Sequence, residues 1–182
     1  PQISTSGAII ERNEWVPQLG INLDFNLDGL SLIFALMITG VGTLVFIYTS
    51  YYLKDHKYLD RFFAFLCLFM GAMLGLVLSE NLITLFLFWE LTSISSFFLI
   101  GFNNEDPASR KSAMIALAVT GLGGLSLLAA GLVIHGITDS FSILDFLQST
   151  TLVQGHGYYL ALVCLVFGAA FTKSAQFPFH FW

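Results

Sequence analysis

Charged side chains are scarce in this 182-residue sequence, where only 10% of residues are charged and 56% are hydrophobic. Soluble globular domains carry about one quarter charged residues, so the composition argues against a soluble domain. It predicts instead a polytopic membrane protein that is embedded in the lipid bilayer. The seven basic residues form no run and the net charge is −5, which argues against nucleic acid as a partner.

Cysteine is almost absent as well. Cys67 and Cys164 each lie inside an apolar run, and no ligand-type spacing joins them. We interpret both as small hydrophobic residues and expect neither a disulfide nor a metal site. No motif for nucleotide, flavin, quinone or an iron–sulfur cluster is present, so we expect no cofactor and place any redox chemistry in other chains.

The sequence also lacks a Met at its first position and has no closing segment after Trp182. Both features predict that the chain is a piece of a longer protein. Residues 1–28 are polar and are expected to form an extracytoplasmic segment. Residues 29–182 are expected to form part of a transmembrane domain.

Long apolar runs fill most of the chain after residue 28. About 20 such residues cross a hydrocarbon core of about 30 Å, and we expect helices at about 29–52, 62–78, 82–102, 113–134 and from 157–160 onward. The last should break near Pro178, which offers no N–H to the carbonyl of Ser174. The predicted fold class is therefore an all-α polytopic membrane protein with about five transmembrane helices.

Two shorter elements are expected at the membrane surface. Apolar and polar residues alternate over 21–28, which predicts a half-buried strand after a turn at 17–20. Ser142 followed by Asp145 has capping-box spacing and predicts a short interfacial helix. Glycines are expected to let helices approach closely in the second and fourth spans: Gly71, Gly75, Gly121, Gly123 and Gly124.

Basic residues are distributed unequally between the two sides of the membrane. The loops at 53–61 and 103–112 share one side and hold five of the seven, whereas the other side holds only Arg12 and Lys173 lies within a span. Cytoplasmic loops are enriched in Lys and Arg. We therefore expect both basic loops to be cytoplasmic in a multi-pass protein of the cell (plasma) membrane.

Glu90 is the only charged residue in the run 82–102. Counting from Leu82 at about 1.5 Å per residue places it roughly 12 Å along the span, near the bilayer midplane. It is either a structural acid that pairs with a neighbouring helix or a carboxylate that relays protons. Ionisable residues at this depth are costly and usually functional, which favours the relay.

Lys173 is the second charged residue predicted at membrane depth. It either exchanges a proton in partnership with Glu90 or extends its amine to the membrane surface, and the apolar sequence after it favours the first alternative. The predicted helix break would line a polar cavity beside it. His180, beyond the break, either relays a proton to or from Lys173 or is an ordinary interfacial residue.

The other polar residues near these charges have simpler interpretations. The hydroxyls of Thr92, Ser93, Ser95 and Ser96 either hold water beside Glu90 or bond back to their own helix. Four acids are interpreted as exposed caps or turn residues and two histidines as interface residues: Asp28, Glu80, Asp139, Asp145, His135 and His156.

Three strings resemble the proton-translocating antiporter-like family: LDGLS at 27–31, FWELTS at 88–93 with LIGF at 99–102, and TKSAQFP at 172–178. That family includes the membrane-arm subunits of respiratory complex I and the large subunits of Mrp-type multisubunit Na⁺/H⁺ antiporters. The wording around Glu90 and Lys173 looks most like the MrpA type of subunit. The resemblance implies that Glu90 is the family's pairing glutamate and Lys173 the lysine of its broken helix.

One departure bears on the type of complex. The largest complex I subunit of this family usually has an Arg and an Asp where this chain has Gly121 and Gly124, which favours the Mrp type. The resemblance implies an ion-translocating subunit of a hetero-oligomeric Na⁺/H⁺ antiporter, a transporter rather than an enzyme, that moves protons and monovalent cations. The alternatives are a proton-pumping subunit of complex I or of a membrane-bound hydrogenase, and a membrane scaffold whose charges only fix helix packing.

Overall fold

The structure is a computed structural model that describes residues 2–3, 7–54 and 56–182. The parts of the predictions that concern residues 1, 4–6 and 55 lie outside the described residues. Within the described residues, five short strands precede seven helices: β1 (Gln2–Ile3), β2 (Ile9–Glu11), β3 (Glu14–Val16), β4 (Ile21–Asn22), β5 (Phe25–Leu27), α1 (Gly29–Tyr52), α2 (Leu59–Leu78), α3 (Leu82–Ile100), α4 (Pro107–Thr138), α5 (Ile143–Gln148), α6 (Thr150–Gln154) and α7 (Tyr159–Lys173).

Four helices of the described chain, α1 to α4, are long and apolar enough to cross a membrane. The fifth, α7, is apolar but has only 15 residues because it ends at Lys173. The prediction of an all-α membrane protein with about five spanning helices and an interrupted last helix is confirmed. The bounds of α1 agree with the predicted span, and those of α2 and α3 lie within a few residues of it.

Helix α4 is longer than predicted. It has 32 residues, or about 48 Å at 1.5 Å per residue, which exceeds a hydrocarbon core of about 30 Å. Its first turn is set by a cap rather than by hydrophobicity, because the Asp106 carboxylate accepts hydrogen bonds from the N–H groups of Ala108 and Ser109 at 3.0 and 3.3 Å. The predicted start at residue 113 was therefore wrong, and Arg110 and Lys111 lie on the helix itself.

The helices pack in sequence order through small residues. On α2, Gly75 lies under the ring of Phe88 from α3, so a Cβ at this position would overlap that ring. Gly42 of α1 lies in the same way under the sulfur of Met70. Gly71 has open space around its Cβ direction, so the predicted contact face of α2 is confirmed at Gly75 and wrong at Gly71.

The N-terminal strands form two small antiparallel sheets, ordered β1-β2-β5 and β3-β4. The predicted turn is present as a single 3-10 turn at Pro17–Leu19, followed by Gly20 with φ 67°. The single strand predicted over 21–28 is wrong, because this stretch forms two strands interrupted at Leu23 and Asp24. The two halves have different partners: β4 pairs with β3, whereas β5 pairs with β2.

This sheet region is attached to the turn between α2 and α3. The Asn81 side chain donates to the Gly20 carbonyl at 3.0 Å, and the Thr84 hydroxyl donates to the Asn22 carbonyl. Glu80 N–H donates to Asp24 O at 2.9 Å. We call this end of the bundle, formed by the strands, residues 79–81 and residues 139–158, the outer end; the division of the chain at residue 28 stays a prediction.

Glu80 corrects one sequence expectation. It is 6% exposed rather than an exposed turn residue, and its Oε1 accepts from Ser142 Oγ at 2.8 Å and from Leu144 N at 3.0 Å. Those bonds attach the predicted interfacial helix, found as α5, to the α2–α3 turn. Ser142 caps that helix by accepting from Asp145 N, whereas the Asp145 carboxylate accepts from Ser140 Oγ at 2.6 Å instead of closing the box.

At the other end of the bundle the two basic loops meet. Arg61 Nη2 donates to the Phe102 carbonyl at 3.2 Å, and the rings of His56 and Phe102 have centroids 5.1 Å apart. We call this end, formed by residues 53–54, 56–61 and 101–112, the basic end. The two basic loops share one end of the bundle, as predicted, and the cytoplasmic position of that end stays a prediction.

Candidate functional site

Glu90 lies near the middle of α3 and faces α4. Its Oε1 is buried and has no hydrogen-bond partner among the described residues. A Cβ at Gly124 of α4 would overlap this oxygen and would lie 3.5 Å from Trp89 Cδ1. The carboxylate therefore occupies the space that a side chain at position 124 would need.

The neighbouring glycine, Gly123, faces α7 instead of α3. A Cβ at Gly123 would overlap the Thr172 hydroxyl and would lie 3.4 Å from the Ala169 carbonyl of α7. Successive helical residues point about 100° apart around the helix axis. Gly124 therefore allows α3 to pack closely on one face of α4, and Gly123 allows α7 to pack closely on the adjacent face. The predicted close approach is confirmed at these two positions, whereas Gly121 has open space.

Lys173 is the last residue of α7, and its amine reaches α3. Nζ donates to Thr92 Oγ1 at 2.6 Å and to Ser93 Oγ at 3.0 Å. It also lies 5.5 Å from the centroid of the Trp89 ring, within the range of a cation–π contact. The side chain thus turns into the bundle at the level of Glu90, and the surface-seeking alternative does not describe this geometry.

The hydroxyls after Glu90 have two functions at once. Thr92 Oγ1 donates to the Trp89 carbonyl at 2.7 Å and Ser95 Oγ donates to the Leu91 carbonyl at 2.7 Å, so the expectation that they bond back to their own helix is confirmed. A hydroxyl that donates in this way keeps its lone pairs for another donor. Thr92 and Ser93 offer them to Lys173, a partner that the sequence did not indicate.

The chain leaves the helix directly after Lys173. Ala175 has φ 53°, and Gln176 N–H donates to the Phe171 carbonyl at 2.9 Å, which is the longer bond of a Schellman ending. The indole of Trp182 donates to the Thr172 carbonyl at 2.9 Å. The predicted break is confirmed, but it lies upstream of Pro178, where the left-handed Ala175 redirects the chain.

His180 lies beyond this break, and the hydrogen bonds of Lys173 in the described chain go to Thr92 and Ser93 instead. It is exposed, and its ring stacks on Phe177 with centroids 5.7 Å apart. A relay between His180 and Lys173 stays a prediction.

Sequence reasoning named Glu90 and Lys173 but missed the two tryptophans beside them. Trp89 was only part of a motif string, and its position directly before Glu90 was the available signal. Trp182 donates from its indole to the carbonyl of Thr172, ten residues earlier in the chain. No local sequence pattern predicts a contact of this kind. No group of three or more His, Cys, Asp or Glu residues in the described parts of the chain could hold a metal ion.

The structure brings Glu90 and Lys173 to one level of the bundle without a direct hydrogen bond between them in the described chain. Lys173 binds hydroxyls two and three residues after Glu90, and Glu90 Oε1 is left without a donor. The site therefore combines a half-buried amine held by neutral acceptors with a buried carboxylate oxygen that has no donor among the described residues.

Comparison with known proteins identifies the family. Residues 79–182, more than half of the chain, match the model of the NADH:quinone oxidoreductase/Mrp antiporter transmembrane family. The chain belongs to this family. Residues 15–63 match a second model, the N-terminus of chain 5 of NADH-ubiquinone oxidoreductase, complex I. Family membership confirms the resemblance that the three sequence strings indicated. The roles of Glu90 and Lys173, which that resemblance implies, stay predictions.

Curated relatives of this NADH:quinone oxidoreductase/Mrp antiporter chain include antiporter proteins from two bacteria. The A1 subunit of a Na⁺/H⁺ antiporter of Staphylococcus aureus is 46% identical over 98% of this chain and 22% of its own length. The A/B subunit of a probable K⁺/H⁺ antiporter of Rhizobium meliloti is 43% identical over 100% of this chain and 18% of its own. The chain therefore spans about one fifth of the relatives that it matches.

A solved structure has the same fold. The Mrp complex from Dietzia sp. DQ12-45-1b contains a chain that superimposes with a TM-score of 0.83 at 34% identity, over 95% of this chain and 19% of that one. The helix arrangement described above is thus the arrangement of an Mrp membrane protein.

Proposed function

We propose that this chain is part of an ion-translocating subunit of a multisubunit monovalent cation/proton antiporter in the cell membrane, with Glu90 and Lys173 as its proton-translocating residues. The observation that carries the proposal is the position of Lys173, at the end of a broken helix and bonded to hydroxyls directly after Glu90. The names of the relatives support the class of activity. One name specifies Na⁺ and the other K⁺, so the proposal is for monovalent cations as a class.

The proposed mechanism uses the charge of Glu90 to control Lys173. At about 6–8 Å and an effective dielectric constant near 20, a carboxylate stabilises an ammonium by about 2–3 kcal/mol. While Glu90 is ionised, Lys173 stays protonated and donates hydrogen bonds to the Thr92 and Ser93 hydroxyls. When Glu90 is neutralised or drawn toward another charge, Lys173 releases the proton to water at the helix break.

We assign His180 the next step, in which it exchanges a proton with Lys173 on the far side of the break. An imidazole titrates near neutral pH and suits this function. In this proposal the partner subunits couple the proton steps to the movement of a cation.

A second candidate is a proton-pumping subunit of a redox-driven complex, either complex I or a membrane-bound hydrogenase. The match of residues 15–63 to a complex I chain supports it. The two candidates share the chemistry of Glu90 and Lys173 and differ in the source of energy.

Transport by membrane vesicles tests the proposal. The full-length protein and its partner subunits are expressed in cells without their own antiporters, and dissipation of a preformed pH gradient is recorded on addition of Na⁺ or K⁺. Glu90→Gln should abolish most of the response while the complex still assembles, and Glu90→Asp should keep part of it because the charge survives one methylene short.

Glu80→Gln is the matched control, since it removes a buried carboxylate that bonds only structural groups. Near-normal transport in Glu90→Gln vesicles would leave Glu90 a packing role and contradict the proposal. A proton gradient that forms on oxidation of a redox substrate, with no response to added cations, would establish the second candidate instead.

A further inference from the structure

An open, mainly apolar groove of about 330 Å³ lies at the basic end, between the adjoining ends of three helices. Phe65 comes from α2, Phe97 and Phe98 from α3, and Ala113 and Met114 from α4. Phe98 and Met114 are 39% and 60% exposed, so the groove is open along its side within this chain. Its apolar walls are wide enough apart to receive an apolar chain.

Two arginines lie at the polar mouth of this groove. Among the described residues, Arg61 and Arg110 are the only charged ones that line it, and none of the lining residues is a carboxylate. The Arg61 guanidinium carbon lies 4.9 Å from the Tyr58 ring centroid and 5.4 Å from that of Phe102, so the group is held in an aromatic cage. The mouth is thus positively charged, and the aromatic rings hold the Arg61 charge in position.

Both guanidinium groups keep donors available for an anion. Arg61 uses Nη2 on the Phe102 carbonyl, and Arg110 uses Nη1 on the Asn104 carbonyl at 2.6 Å. Within the described part of the chain, nothing accepts from Arg61 Nη1 or Arg110 Nη2. A guanidinium presents a planar fork that matches the oxygens of a phosphate, so each free end can donate to a phosphate oxygen.

We propose that this groove binds one anionic phospholipid of the leaflet on the basic end, with its phosphate between Arg61 and Arg110 and an acyl chain along Phe97, Phe98 and Met114. Basic pockets between transmembrane helices on the cytoplasmic side are suited to anionic headgroups. Two positive charges, with no carboxylate in the described lining, favour a headgroup with net negative charge over a zwitterionic one. The bound lipid joins the α2, α3 and α4 ends beside the Arg61–Phe102 contact.

The test counts lipids that stay bound to the full-length protein in its complex. The purified complex is titrated with phosphatidylglycerol or with phosphatidylcholine in detergent, and retained lipid is measured by native mass spectrometry. Each arginine near an anionic headgroup contributes about fivefold to affinity, so Arg61→Gln with Arg110→Gln should weaken phosphatidylglycerol binding by about 25-fold. Arg61→Lys with Arg110→Lys keeps the charge but loses the fork and should give an intermediate loss.

The matched control is Lys54→Gln with Lys111→Gln, which removes the same charge from the same end but outside the groove. It should change phosphatidylglycerol binding by about twofold, because exposed charges without a headgroup contact act through solvent. Equal losses in control and arginine variants would overturn the site, as would equal binding of phosphatidylcholine. Displacement of the lipid by glycerol phosphate at similar concentration would reduce it to an anion site without an acyl chain, and a density map with a protein helix in the groove would also overturn it.

Discussion

Glu80 and Glu90 lie on either side of the first turns of α3, and both have a carboxylate oxygen withdrawn from solvent. Glu80 accepts two hydrogen bonds from the segment that begins α5, at 2.8 and 3.0 Å. Glu90 Oε1 accepts none among the described residues and lies instead against Gly124. One chain therefore places one satisfied and one unsatisfied carboxylate on a single helical hairpin.

This difference suggests a structural role for Glu80 and a functional role for Glu90. A buried carboxylate with its donors in place stabilises the contact between the outer segments, and removing one partner costs about 1–3 kcal/mol. An unpartnered buried carboxylate costs free energy in the resting structure and is retained where its charge has a use. The four predictions below test whether Glu80 and Glu90 differ in this way.

The largest effect is expected at Lys173, the cation beside Glu90. Lys173→Ala removes a positioned proton carrier, for which losses on the order of 100-fold are typical. Lys173→Arg should be almost as defective, since arginine keeps the charge but does not release its proton. The measurement is cation-dependent dissipation of a pH gradient in vesicles at matched expression. Full activity of Lys173→Arg would show that the site needs only a fixed charge.

The next effect is expected from Gly124→Ala, which adds a Cβ where Glu90 Oε1 now lies. Overpacking of this kind costs about 1–3 kcal/mol, and moving the Glu90 carboxylate should lower transport by about tenfold, equivalent to about 1.4 kcal/mol. Gly121→Ala on the same helix meets open space and should leave transport unchanged. Equal transport by both variants would mean that Glu90 does not need its position against α4.

A smaller loss is expected when the Lys173 acceptor on α3 is removed. Thr92→Val deletes a hydrogen bond to the ammonium while Ser93 keeps its own, so we expect transport to fall by about fivefold, below the full value of about 1.5–3 kcal/mol for such a bond. Ser95→Ala removes a hydroxyl that is also buried but bonds only to its own helix. A similar loss in both variants would indicate a helix effect rather than a Lys173 effect.

The smallest effect on transport is expected at Glu80. Glu80→Ala leaves Ser142 Oγ and Leu144 N without their acceptor, and the complex should therefore melt at a lower temperature, by the equivalent of about 2–4 kcal/mol for two unsatisfied donors. Transport per assembled complex should stay normal at low temperature. A transport defect at normal thermal stability would erase the difference between the two acids.

The sequence predicted the apolar helices well because length and hydropathy alone determine them. It also located Glu90, Lys173 and the helix break, since charges and a proline within apolar runs are conspicuous. It placed the start of α4 too late, because the Asp106 cap extends the helix beyond its apolar part.

The remaining errors concern contacts between distant segments. The bonds of Glu80 to Ser142 and of Trp182 to Thr172 depend on how segments fold back on one another. The division of the predicted strand into β4 and β5 likewise follows from two different pairing partners. Local periodicity carries no information on such partners.

The most direct test of the central claim, that Glu90 controls the proton on Lys173, is a double-mutant cycle on transport rate. Glu90→Gln, Lys173→Ala and the double variant are compared with the unchanged protein at matched expression, so that the pairwise term is isolated. If the two groups act as one unit, the double variant should transport no more slowly than the poorer single variant. Strictly additive losses, with the double variant slower by the product of the two single defects, would show that Glu90 and Lys173 act independently.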